Sequence, residues 1–157
     1  MCDYKSDTSA LTPLIHETID SRRDLVDQAA ERIMLAVGAL PCAKGSLDDI
    51  SLALSEVLAN AVVHGNREDP EKKVDICATC EGPDQFTLVV TDEGRGFDPA
   101  AICDPTGADN LLTNHGRGVF LIRRLMDETE FRMGGRQVLL RKRCQDPSRG
   151  GLLQQVS

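Results

Sequence analysis

Apolar positions recur at helical spacing in two long stretches of the chain. Leu25, Ala29, Ile33 and Val37 follow one another at four-residue steps, with Val26, Ala30 and Met34 beside them, which predicts an amphipathic helix over about 22–38. Ser21 fits its N-cap, and Gly38 and Pro41 end it. Ser46 followed by Asp49 resembles a capping box, with Asp in place of the preferred Glu. Behind it Leu47, Ile50, Leu54, Val57, Leu58 and Ala61 mark a second helix, about 47–64, stopped by Gly65. A third, about 119–126, is apolar at Val119, Ile122, Leu125 and Met126. Period-two runs predict strands at 14–19, 73–80 and 86–91, the last two joined as a hairpin by Gly82-Pro83. A final hairpin, 129–133 and 137–143, turns at Gly134-Gly135. From Asp92 to Arg117 the chain is rich in Gly, Pro and Asp without periodicity, the signature of a binding loop or lid. The tail, 145–157, reads as loose. Helices beside antiparallel hairpins predict an α+β fold: a two-layer α/β sandwich whose mixed, mostly antiparallel sheet carries helices on one face.

Composition fits one domain. The 157 residues are 41% hydrophobic and 27% charged, and a chain of this length buries roughly two-thirds of its unfolded surface without needing a disulfide or a metal. The expected single domain covers 1–157, with its core at about 14–143. A net charge of −7 argues against direct nucleic-acid binding. No stretch is apolar over the roughly 20 residues of a membrane span, and no export signal is visible, so the expected compartment is cytoplasmic. Six cysteines are irregularly spaced, and Cys77 and Cys80 form a C-x-x-C on a strand. Residues three apart on a strand point to opposite faces, so the two thiols cannot share one metal. Reduced, structural thiols, with neither metal nor bridge, are expected.

Three clusters break local rules in ways a packed core does not require. Glu56, Asn60 and His64 are spaced by four and form one polar stripe beside the core-facing Val57, Leu58 and Ala61. Such a stripe can be a solvated face. It can also be a carboxylate base, an amide oxygen suited to Mg²⁺ and an imidazole beside them. Asp92-Glu93-Gly94-Arg95-Gly96-Phe97 follows a strand: its glycines let backbone approach a flat ligand, and its carboxylate can accept from an exocyclic amine such as that of adenine. Asp and Gly also dominate ordinary turns. His115-Gly116-Arg117-Gly118 leads into the third helix, where free backbone N–H groups can converge on an anion and Arg117 adds a cation. It is neither a Walker A loop nor a G-x-G-x-x-G.

In this order and at these separations, the clusters resemble the N, G1 and G2 boxes of the GHKL ATPase/kinase superfamily. The run Leu52 to Gly65, together with Gly116 to Glu128, is similar to the anti-sigma-factor serine kinases of the RsbW/SpoIIAB type. The resemblance spans about residues 14–143. It implies a Bergerat-type sandwich with ATP between the helical layer and a lid over 98–117. Glu56 would be the general base, with Arg117 the second catalytic group. Asn60 would ligate Mg²⁺, with His64 on the cofactor side of the same stripe. Asp92 would contact adenine, Gly94 and Gly96 would shape its pocket, and Gly116 and Gly118 would meet phosphate. Where the family commonly has Thr near the adenine, this chain has Gln137 after Gly135-Arg136.

The resemblance implies an ATP-dependent protein serine/threonine kinase that phosphorylates a STAS-domain antagonist and sequesters a sigma factor, with neither membrane nor direct nucleic-acid contact. It allows a homodimer, although no interface is legible in the sequence. The alternative is a nucleotide-gated binding regulator with the same pocket and little catalysis. A histidine kinase would need an upstream dimerisation helix with a phosphoacceptor, and His16 has no coiled-coil context. A gyrase-like machine would need a transducer domain.

Overall fold

The computed structural model of the protein describes residues 14–98 and 114–144. The expected loose tail, and the body of the expected lid, lie outside them. Five strands form one sheet: β1 (Ile15–Asp20), β2 (Lys73–Glu81), β3 (Gln85–Asp92), β4 (Glu128–Arg132) and β5 (Gln137–Arg143). Their order is β1-β2-β3-β5-β4, with every neighbouring pair antiparallel. The described sheet is therefore purely antiparallel rather than mixed. Three helices pack on one face: α1 (Arg23–Gly38), α2 (Leu47–Ala59) and α3 (Asn114–Leu125). No helix among the described residues is long and apolar enough to cross a membrane.

The core follows from the two periodicities. Val26, Ala29, Ile33 and Val37 of α1 and Ile50, Ala53, Leu54, Val57 and Leu58 of α2 are buried. They meet alternate residues of the sheet, such as Val74, Ile76, Ala78, Leu88, Val90 and Leu140. Cys77, Val89 and Leu139 form a separate small cluster, on the opposite sheet face by the same alternation.

Ser21 does not cap α1: Arg22 holds the N-cap position without a side-chain bond, and Ser21 is fully buried. Ser46 is the N-cap of α2 but makes no capping hydrogen bond. The cysteines are not all reduced thiols. Cys42, in the 3₁₀ turn Pro41–Ala43, is joined to Cys80 of β2 with a Cα–Cα separation of 5.8 Å. Cys77 is disulfide-bonded as well, and Cys144 is a buried free thiol. The opposite-face argument for Cys77 and Cys80 holds, since Cys80 packs against the main core and Cys77 does not. It excluded a shared ion, but it had no bearing on partners from other segments.

Candidate functional site

The helical stripe ends in a change of geometry. After Ala59, α2 continues as a π-helical turn, Asn60–Gly65, in which the Asn66 N–H bonds the Ala61 carbonyl at 2.8 Å. Such i→i−5 bonds widen the helix and are frequent at functional sites. Asn60 and His64 line a cavity of about 240 Å³ between the helical layer and the sheet, walled by Val57, Val90, Ile122 and Val138. Asp92, Gly96, Phe97, Phe131 and Arg136 also line it. Phe97 and Phe131 meet edge to face, their ring centres 5.2 Å apart.

Asp92 ends β3 with its carboxylate beside Gly65. A Cβ built on Gly65 would overlap Asp92 Oδ2, so only glycine there lets the carboxylate pack against the end of the helical stripe. The Gly94 N–H donates to Asp92 Oδ1 at 2.8 Å. Gly94 itself sits against the Gly65 carbonyl, too close for any Cβ. Burial pushes the Asp92 pKa up, while the Gly94 N–H, Arg136 and Lys72 hold it down. Gly96, at φ +78°, lies against the Gly134 carbonyl, and the Phe97 N–H donates to that carbonyl at 2.9 Å.

The third cluster stands differently from its expectation. The described part of helix α3, Asn114–Leu125, contains His115-Gly116-Arg117-Gly118, so the motif lies within the helix rather than preceding it. Arg117 is exposed, and Gly118 is buried. A Cβ on Gly118 would lie 2.9 Å from Glu56 Oε2 and 3.3 Å from Asn60 Nδ2. Glycine here lets α3 close onto the stripe, and Glu56 and Asn60, both half-buried, meet it there.

Two residues were missed. Asn66 is fully buried. Its amide nitrogen donates to Ser21 Oγ and, at 2.8 Å, to the Lys73 carbonyl; its Oδ1 accepts from the Glu93 N–H at 2.8 Å. It thereby ties the end of the helical stripe to the loop after β3. One polar residue after a helix-ending glycine looks like any turn residue, so no sequence signal marks it. Arg136 was passed over for its neighbour Gln137. Strand alternation sends Gln137 to the sheet face away from the cavity, where its Nε2 donates to Thr91 Oγ1 at 3.0 Å, whereas Arg136 reaches the cavity and its carbonyl accepts from the Asp92 N–H at 2.9 Å. The tandem Gly134-Gly135, both at positive φ, was the available clue that this turn approaches another backbone.

A helical layer on an antiparallel sheet, enclosing a cavity rimmed by a carboxylate, an amide and glycine-based backbone contacts, defines a nucleotide-binding domain of the ATPase type. Residues 19–142 match the histidine kinase-like ATPase domain, and the chain belongs to that family. It is similar to the serine-protein kinase RsbW of Staphylococcus epidermidis, 34% identical over 101 residues that cover 58% of this chain and 63% of that protein. It is also similar to the serine-protein kinase RsbW of Bacillus subtilis, 33% identical over 89 residues, covering 52% and 54% of the two chains. The matched segment thus spans less than two-thirds of those relatives. A crystal structure of the RsbU and RsbW domains of a Mycobacterium tuberculosis protein shares the fold, with a TM-score of 0.57 at 18% identity over 87% of this chain and 32% of that one.

Proposed function

We propose that the chain is an ATP-dependent protein serine/threonine kinase that phosphorylates a STAS-domain antagonist and sequesters a sigma factor in the cytoplasm. The observation that carries this reading is that Asn60, which lines the cavity with Asp92 and Gly96, also meets Gly118 of α3, with the Glu56 carboxylate beside the same glycine. Apolar walls around a single carboxylate suit a flat heterocycle with one exocyclic donor. Asp92, its Oδ1 held by the Gly94 N–H, accepts from the adenine amine through Oδ2. Phosphates extend toward the start of α3, where the N–H of Gly116 and the helix dipole attract negative charge and Arg117 adds a cation. His64 lines the same cavity as Asn60.

The donor set beside Gly118, an amide and a carboxylate, offers the hard oxygens that Mg²⁺ prefers, and Mg²⁺ takes its remaining ligands from phosphate. Asn60 would hold the ion, which would neutralise charge on the transferring phosphoryl group. Glu56 takes the proton from the acceptor hydroxyl, the one covalent task left to the protein in such a transfer.

The test is a γ-phosphate transfer assay beside a nucleotide-binding measurement. Glu56→Gln is nearly isosteric and cannot act as a base. It is expected to bind ATP·Mg²⁺ within about threefold of the parent while transfer falls by about 10²–10⁴. Full transfer by that variant would remove the base role. A parent that binds ATP but phosphorylates no STAS-domain protein would leave a nucleotide-gated regulator.

A further inference from the structure

The sheet face opposite the cavity holds a cluster that the kinase reading does not use. In the β1–β2 register His16 pairs directly with Cys77, and Asp75 lies two residues before Cys77 on the same face. The imidazole Nε2 is 2.7 Å from Asp75 Oδ1, and the ligand atoms of His16, Asp75 and Cys77 all lie within 4.8 Å of one another. In a tetrahedral zinc site two ligand atoms are roughly 3.5 Å apart, so small rotamer adjustments bring this set to bonding geometry. Thr18 Oγ1 donates to Asp75 Oδ1 at 3.0 Å, the kind of outer hydrogen bond that orients a ligating carboxylate.

We propose that this face carries a latent site for a divalent cation of the zinc class, ligated by His16, Asp75 and Cys77 and opened when the Cys77 disulfide is reduced. The ligand chemistry selects the ion: one imidazole, one thiolate and one carboxylate favour Zn²⁺ over Mg²⁺ or Ca²⁺, and the two anions balance its charge. With three protein ligands, the fourth position is left to water. Unlike a C-x-x-C site, this one needs only side chains of one sheet face. Reduction by a phosphine breaks the S–S bond. The phosphorus is oxidised to a phosphine oxide with oxygen from water, and both sulfurs leave as thiols. On metal entry the Cys77 thiol gives its proton to solvent and forms the sulfur–metal bond. The His16–Asp75 hydrogen bond is exchanged for two bonds to the ion.

The experiment titrates the full chain, with and without phosphine reduction, first with Co²⁺ and then with Zn²⁺. The reduced protein is expected to show a thiolate-to-cobalt charge-transfer band, bleached stoichiometrically by Zn²⁺, and the unreduced protein none. Cys77→Ser should abolish the band, and His16→Ala should weaken the ion by about tenfold or more. Cys80→Ser and Cys144→Ser should keep it. His16 is exposed on an edge strand, so its loss tests ligation without emptying the core, and circular dichroism checks that the fold is retained. An undiminished band in Cys77→Ser, or no band in the reduced parent, overturns the proposal.

Discussion

Asp92 meets two opposed demands. In its proposed role as an adenine acceptor it would be ionised, yet burial raises its pKa more than the Gly94 N–H, Arg136 and Lys72 lower it. A carboxyl with a folded pKa above its unfolded value costs stability above the folded pKa, and the cost disappears once pH falls below the unfolded value, where both states are protonated. Asp92→Asn is therefore expected to melt at a higher temperature than the parent at about pH 7, an advantage that vanishes near about pH 3. It should weaken ATP by about 1–3 kcal/mol at the same time. Melting curves across pH, paired with nucleotide titration, check both signs. Gly118 shows a similar opposition. Alanine in place of a helical glycine ordinarily adds about 0.5–1 kcal/mol, but here its Cβ would lie 2.9 Å from Glu56 Oε2. The carboxylate end can swing aside, so Gly118→Ala is expected to keep its stability while phosphate transfer falls by about 10²-fold, the cost of an ångström-scale misplacement.

Among elements, the π-helical turn and the loop after β3 act as one unit through Asn66. Its amide serves Ser21, the Lys73 carbonyl and the Glu93 N–H from a fully buried position. Asn66→Ala strands those partners, and a buried polar group left unpaired costs about 1–3 kcal/mol. A drop of ~2–3 kcal/mol in denaturant unfolding is expected. Nucleotide affinity should fall with it, because the Glu93 N–H anchors the loop that carries Asp92 and Gly94. A variant with unchanged stability would show that Asn66 holds nothing together.

At the scale of the molecule, the Cys42–Cys80 bridge links the α1–α2 connection to the sheet across 38 residues of sequence. Closing a loop of that length removes unfolded-state entropy worth about 3–4 kcal/mol. The double variant Cys42→Ala/Cys80→Ala, kept unreduced, should lose about that much in a denaturant midpoint measurement, with the sheet and the cavity retained. Equal midpoints would mean that the bridge is not formed in solution.

The elements and the faces they bury are legible in local periodicity. Leu25 to Val37 and Leu47 to Ala61 could bury their stripes only as helices, and the alternation in 73–80 and 86–91 fits only half-buried strands. Local periodicity is enough for this because it belongs to each segment alone. It also exposed Glu56, Asn60 and Asp92 as residues for which a packed core has no use. The remaining features arise where segments distant in the chain meet. The helical state of residues 114–118 and the packing of α3 brought Gly118 into a close approach on Glu56. Strand alternation turned Gln137 away and put Arg136 at the cavity. Burial made Ser21 a partner of Asn66 instead of a helix cap. Cys42 met Cys80 because a 3₁₀ turn and a strand share one core. Each of these depends on a distance between residues far apart in the chain, and such a distance has no counterpart in any local pattern.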